Sequence, residues 1–226
     1  MRADLLIAEA AIELIPPELW RESDVVAYCT KRRKDVRWTL LDSSYHHRAM
    51  ARLRERQKRG RPDLVHFILL EALGSPLNRA GLLQAHVHTR DGRWIRINPA
   101  TRLPRVYERF KGLIEHLYRH GRVWSEDGTA LLEMEVIGLK ELLERLGPSR
   151  RVLLHEAGAV IDDEAIRRYA SSGSVTIVVG GFPHGDFSPH VLELVDERVR
   201  VSDYRLDAWV AVSRALCLFE RALLQP

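Results

Sequence analysis

Apolar positions along this chain follow two rhythms, an irregular helical one in the first half and a strand–helix alternation in the second. Leu5 to Ile15 is an apolar run ending at Pro16-Pro17 and reads as a strand. Pro16 to Lys34 reads as a short helix or two with a basic exit. Leu40-Leu41-Asp42 reads as a short strand, after which Ser43 and Ser44 cap a basic helix running to about Lys58 and stopping at Gly60. The apolar stripe of that helix is thin (Ala49, Met50, Leu53), which predicts a surface position. Pro62-Asp63 opens the next helix, with proline in the first turn and an acid that suits the dipole. Leu64 to Leu73 is apolar nearly all round and predicts burial, and Gly74 and Pro76 end the helix. Gln84 to Asn98 alternates on both sides of Asp91-Gly92, the pattern of a β-hairpin. Pro104 then opens an amphipathic helix with the stripe Val106, Phe110, Leu113, Ile114 and Leu117, closed by Gly121. Trp124 to Gly138 is polar and irregular and reads as a loop.

The second half is β/α. A helix at Leu139–Leu146 is followed by a strand at Arg151–Leu154 and a helix at Asp162–Ala170. Val175-Thr176-Ile177-Val178-Val179 suits a parallel strand buried on both faces. A helix at Pro189–Asp196, a strand at Arg198–Val201 and a last helix from Asp207 to about Leu224 complete the pattern. The whole predicts one α/β domain with an inserted hairpin and extra helices.

Composition narrows the class only a little. The 226 residues are 46% apolar and 29% charged, as in a soluble globular protein, and no apolar run is long enough to span a bilayer. Asp4, Glu9 and Glu13 argue against a secretory signal, and Cys29 and Cys217 form no CxxC, so a reducing cytoplasm is expected. The net charge is only +4, but it is uneven. Arg48 to Arg61 holds seven Lys or Arg against Glu55, and Arg90 to Lys111 holds seven more against Asp91 and Glu108. Such asymmetry fits either a docked polyanion or a solvated basic face.

Three motifs stand out. Val178-Val179-Gly180-Gly181-Phe182-Pro183-His184-Gly185-Asp186 follows the predicted buried strand, where ligands of parallel sheets bind. It is not GxGxxG and no acid stands at the spacing of a ribose contact, which disfavours a dinucleotide site; the plain alternative is a tight turn. Between Asn98 and Phe110 lie Arg102, Arg105 and Arg109. Arg105 and Arg109 are four apart and are expected to share a helix face, with Arg102 on the entry loop. Three guanidinium forks there can grip phosphates or stack on splayed bases, unless they merely pair with nearby acids, of which Glu108 alone is close. In Arg61-Pro62-Asp63 the acid can orient the arginine, cap the helix, or both. The histidine pairs His46-His47, His86/His88 and His116/His120 come without HExxH or a cysteine cluster, so no metal is expected. No GxSxG or P-loop is present. Trp20, Trp38 and Trp94 fit packing better than base stacking.

Leu41-Asp42 with His46-His47, Arg61 through His66, Ser75 through Gly81, and Val87-His88-Thr89 follow one another along the chain. Asn98 through Phe110 with Gly112-Leu113, Val179 through Phe187, and Val201-Ser202-Asp203 continue the series. In that order, over nearly the whole chain, they resemble the archaeal and eukaryotic ribosome-biogenesis pseudouridine N1-methyltransferases. That family belongs to the SPOUT superfamily and comprises small-subunit processing factors essential for mitotic growth. The resemblance implies an α/β SPOUT fold with a C-terminal trefoil knot, in one domain over 1–226 with family-specific insertions within about 16–60 and 82–98. It implies a homodimer that binds S-adenosyl-L-methionine in a bent pose. The cofactor loops would be Leu153 and Leu154, Gly180 and Gly185, and Val201, Ser202, Asp203, Tyr204, Arg205 and Leu206. RNA would be held by Arg61, Arg102, Arg105 and Arg109, with Asp63 supporting Arg61. The substrate would be a pseudouridine in a hairpin loop of small-subunit (16S) rRNA, with no membrane or metal involved. Two positions depart from the pattern: Gly74 stands where eukaryotic members carry Asp, and Arg205 where many carry Pro. The catalytic base is left unassigned. The rivals are a non-catalytic rRNA-binding assembly factor, a SPOUT methyltransferase with another RNA target such as a ribose hydroxyl, and a Rossmann-type methyltransferase.

Overall fold

The apolar run that starts at Leu5 becomes the centre of a sheet. A computed structural model describes residues 2–147, 149–171 and 173–224. Among them run the strands β1 (Arg2–Ala10), β2 (Leu83–Thr89), β3 (Arg93–Ile97), β4 (Arg122–Trp124), β5 (Ala130–Val136), β6 (Arg150–Val160), β7 (Ser174–Gly180) and β8 (Glu197–Arg200). They form one sheet in the order β4-β5-β3-β2-β1-β7-β6-β8. β2, β1, β7, β6 and β8 are mutually parallel, with Ile7 opposite Val87 on one side and Val179 on the other. β3, β5 and β4 extend the sheet antiparallel beyond β2. The first arm of the hairpin thus belongs to the parallel sheet itself. Its turn carries Gly92 at φ +75°.

The helices are α1 (Ser23–Arg32), α2 (Ser43–Met50), α3 (Pro62–Gly74), α4 (Pro76–Arg79), α5 (Tyr107–His120), α6 (Leu139–Leu146), α7 (Asp163–Ser171), α8 (Pro189–Glu193) and α9 (Ala208–Leu224). Alternation along β1 sends Leu5 and Ile7 to one face, where Val65, Ile68, Phe110, Ile166 and Phe219 bring α3, α5, α7 and α9 against it. Leu6 and Ala8 face the other way, onto Leu142, Leu143 and Val191 of α6 and α8. Burying a β7 strand on both faces requires the continuous Val175–Val179 run, and all five residues are buried. Ile15, Leu19, Val25, Leu41, Met50 and Leu53 form a third, smaller cluster that joins α1 and α2 away from the sheet.

Several expectations change. β1 stops at Ala10, because Glu9 takes a left-handed φ of +50° and the register with β2 shifts. Leu40 makes only an isolated bridge to Leu14. The basic helix ends at Met50 and is capped by Asp42, whose Oδ1 accepts from the Ser44 N–H. It is only partly a surface helix, since His46, Ala49 and Met50 are buried. α5 begins at Tyr107 rather than Pro104, so Val106 is its N-cap and is 57% exposed instead of lying in the stripe. The 124–138 stretch is not a loop: it holds β4's end and β5, an edge region where Leu132 alone is fully buried within β5.

Candidate active site

Parallel strands leave their carboxyl ends on one edge of a sheet, and the irregular middle of β6 after Leu154 meets there the loops that follow β7 and β8. They enclose a cavity of about 710 Å³ with the start of α9 and the start of α3. A volume of this size suits a nucleotide-sized ligand. Leu154, Val179, Leu206 and Trp209 supply apolar wall; Ser202, His155 and Asp186 supply polar groups. The turn at Gly185 needs φ +98°, which is the left-handed region that favours glycine.

Eight of the residues expected in the cofactor loops line this cavity: Leu154, Gly180, Gly185, Val201, Ser202, Tyr204, Arg205 and Leu206. Two do not. Leu153 is fully buried in the α6/α8 face of the core, one residue out of phase with Leu154. Asp203 turns away to accept from Arg200 at 3.3 Å. Arg205 reaches Glu156 at 3.1 Å, so its side chain ties the loop after β8 to β6.

The pattern did not single out His155 and Asp186. His155 Nδ1 accepts from the Ala157 N–H at 3.1 Å, which leaves Nε2–H to donate to Asp186 Oδ1 at 2.9 Å. That hydrogen bond holds the Asp186 carboxyl below its ordinary range. A histidine directly after an apolar strand was the one available signal; its partner lies 31 residues away.

Arg61 lines the same cavity. Its Nε and Nη2 each donate to Asp63 at 2.8 Å, and this paired carboxylate raises the guanidinium further above its ordinary value. From Arg61, α3 leads to the arginine-bearing segment. His66 Nε2 bonds the Pro104 carbonyl at 2.7 Å, and its ring stacks on Phe110 with centroids 4.3 Å apart. Arg102, Arg105 and Arg109 are exposed, and none holds an ion pair among the described residues. Arg105 precedes α5, so it does not share a helix face with Arg109 as the spacing suggested. Glu108, the one acid nearby in sequence, is engaged elsewhere, with Lys111 at 3.0 Å and the Tyr45 hydroxyl at 3.1 Å.

Behind the arginines lies a buried polar knot of side chains. Lys111 Nζ reaches Asp42 Oδ2 at 2.8 Å, and the Tyr107 hydroxyl donates to the same oxygen at 2.8 Å. Burial alone would raise the Asp42 carboxyl, but the Lys111 bond holds it below its ordinary range. Burial would likewise lower Lys111, yet Asp42 and Glu108 keep it above its ordinary value. His46, fully buried alongside, is pushed down to about 4 by loss of solvent.

Other candidates fall away from the site. Trp20 donates to the Ile15 carbonyl and Trp94 to His86, so both are packing residues. His116 and His120 are exposed at the far end of α5. No group of three or more potential metal ligands occurs among the described residues, and no described helix is long and apolar enough to cross a membrane. Gly74 ends α3 opposite Arg61, about 18 Å along the helix axis, and lines a separate hollow with Cys217 and Glu220.

The chain is similar to known proteins over nearly its whole length. The chain matches the profile of the family described as EMG1/NEP1 methyltransferase over residues 5–220. It is 40% identical over 212 residues to the ribosomal RNA small subunit methyltransferase Nep1 of Staphylothermus marinus, covering 94% of this chain and 92% of that protein. It is 43% identical over 222 residues to the same-named protein of Thermococcus kodakarensis, covering 97% and 98%. It is similar, with a TM-score of 0.89, to the crystal structure of Archaeoglobus fulgidus Nep1 bound to S-adenosylhomocysteine, at 36% identity and 100% coverage of both chains.

Proposed function

This chain belongs to the EMG1/NEP1 methyltransferase family, and from that premise we propose that it methylates small-subunit rRNA with S-adenosyl-L-methionine, at N1 of a pseudouridine in a hairpin loop. The observation that carries the reading is the adjacency of two features. A cleft of cofactor size lies beside the middle of β6 and the ends of β7 and β8, and Arg61 links it through α3 to three exposed arginines that hold no ion pair among the described residues. A polyanion on Arg102, Arg105 and Arg109 would meet the cleft at Arg61. In this reading the cytoplasmic enzyme serves small-subunit assembly.

The cofactor would supply a methyl group on a sulfonium, ready for in-line displacement. Leu154, Val179, Leu206 and Trp209 fit the apolar part of such a ligand, and Ser202 with the loop backbone fits its polar part. The chain's remaining task is to place the nucleophilic nitrogen and shut out water. Arg102, Arg105 and Arg109 would hold phosphates or a splayed base, and Arg61, fixed by Asp63, would steady charge on the base as the N1 proton leaves. The acid missing at Gly74 is no obstacle to this scheme, since that position lies at the wrong end of α3 to reach the cleft.

The family's trefoil knot and its insertions belong to the same reading. In favour of the knot is the close approach of the far end of β6 to β8. A Cβ on Gly158 would lie 2.5 Å from the Arg198 carbonyl carbon and the Val199 nitrogen. In favour of one domain with an insertion near 16–60 is the separate α1/α2 cluster beside the sheet. A homodimer accords with the face of α3 and α9, where Phe67 is 45% exposed and packs on Trp209 at the rim of the cleft.

The test is to incubate the protein with labelled S-adenosyl-L-methionine and a pseudouridine hairpin, then locate the label by mass spectrometry. A methyl on N1 is expected. A methyl on a ribose hydroxyl would assign another target, and no transfer despite tight RNA binding would favour an assembly factor.

A further inference from the structure

Of the seven cations in the basic segment 48–61, Arg52 pairs with Glu22 at the surface and the other six fall into two sets. Arg48, Arg54 and Arg56 are exposed and hold no ion pair among the described residues. Lys58, Arg59 and Arg61 are instead committed to Glu9, Glu13 and Asp63. Arg59 and Arg61 make close two-point pairs with their acids. Lys58 is bound more loosely, and its side chain ends in a different place.

The Lys58 side chain is only 10% exposed. Its Nζ donates to Glu9 Oε2 at 3.4 Å and lies 4.8 Å from the centre of the Phe182 ring. Its Cε comes to 3.1 Å from where a Cβ would stand on Gly185. Phe182 and Gly185 both line the cleft. The Glu9 carboxylate accepts in turn from the Ser188 N–H, at 3.1 and 3.4 Å, which closes the same turn from its far side. Glu9 does this from a backbone φ of +50°, a conformation that costs a non-glycine residue on the order of 1 kcal/mol. A buried ammonium with one long ion pair and one ring face adds little net stability. Its placement under Phe182 and Gly185 is the feature that needs explaining.

We propose that Lys58 is a positioning residue that sets the 181–188 turn in the shape that accepts the cofactor, and that it couples this turn to RNA held by Arg54 and Arg56. The inference rests on the reading of the cleft as the cofactor site. Arg56–Lys58 is a single tight helical turn, so a phosphate that fixes Arg54 or Arg56 also fixes the backbone from which Lys58 reaches Gly185. RNA then tightens cofactor binding, and the cofactor tightens RNA binding by the same factor.

Titration calorimetry on the full chain tests this, with S-adenosylhomocysteine as probe, in the presence and absence of a pseudouridine hairpin. For the unaltered protein, RNA is expected to tighten the probe by about fivefold or more. In Lys58→Met the RNA-free affinity for the probe falls by about the same factor and the gain from RNA disappears, while RNA affinity without probe stays within about twofold. Lys58→Arg restores a large part of both. Failure of the unaltered protein to bind the probe overturns the reading of the cleft and this inference with it. Normal binding and an unchanged RNA gain in Lys58→Met overturn the positioning role alone. Should Lys58→Met not fold, Glu9→Gln removes the ion pair and keeps an oxygen for Ser188. Faster amide exchange confined to 181–188 in that variant supports the proposal, and exchange there equal to the unaltered protein's overturns it.

Discussion

Within ten positions, 102 to 111, the chain carries two kinds of cation. Lys111 is 1% exposed, paired with Asp42 and Glu108, and ringed by Tyr28, Tyr45 and Tyr107 at 5.5, 4.5 and 4.9 Å. Arg102, Arg105 and Arg109 are exposed and hold no ion pair among the described residues. They also gather at the start of α5, where the positive end of the helix dipole disfavours cations. The buried cation joins α1, α2 and α5. The exposed ones weaken the isolated helix slightly, and in the proposed function they meet an anion that arrives from outside. Burial and pairing separate the scaffold cation from the exposed set.

The largest effect should come from the scaffold cation. Lys111→Met strands the Asp42 carboxylate and should lower stability by about 3–5 kcal/mol in urea denaturation. A loss below about 1 kcal/mol would erase the contrast. Next in size is acid sensitivity of the same cluster. His46 stays neutral in the folded chain down to about 4, whereas the unfolded chain binds its proton near the ordinary value of 6.5. Below pH 6.5 the unfolded state therefore holds more protons, and stability falls until about pH 4, by on the order of 3 kcal/mol. Burial shifts His66 and His88 downward too, with the same sign. Asp42, held low, adds a further loss only at lower pH, as it protonates. Melting temperatures that stay level from pH 7 to 4.5 would contradict this. The smallest effect on the fold belongs to the exposed set. Arg102→Ala or Arg105→Ala should cost about 1–3 kcal/mol in RNA affinity and flatten its salt dependence, with stability within about 0.5 kcal/mol and S-adenosylhomocysteine affinity unchanged. Equal losses of RNA and cofactor binding would merge the two regions into one structural unit.

Much of the fold could be read from periodicity where burial is complete. The Val175–Val179 run, the largely apolar α3 and the amphipathic α6 match their expected places, because most of their residues carry the polarity that their burial requires. β4 and β5 were missed because β4 is a three-residue edge strand and β5, next to that edge with both of its last residues exposed, has no strict alternation to show. The eight expected cofactor positions that line the cleft follow from the family resemblance, and only Gly180 and Gly185 among them lie on the glycine turn that pattern alone singles out. His155 with Asp186, and Lys58 beneath Gly185, were invisible because each contact joins residues far apart in sequence. Val106 misled by polarity alone: it is apolar and well spaced, but it caps the helix instead of packing under it.

The central claim is that the cleft and the exposed arginines serve one reaction on one base. The most direct test compares methyl transfer from labelled S-adenosyl-L-methionine to a pseudouridine hairpin and to its uridine twin of identical sequence. The account predicts label in the pseudouridine hairpin and none above background in the twin, which lacks the N1–H. Equal labelling of both, or of neither, would contradict it.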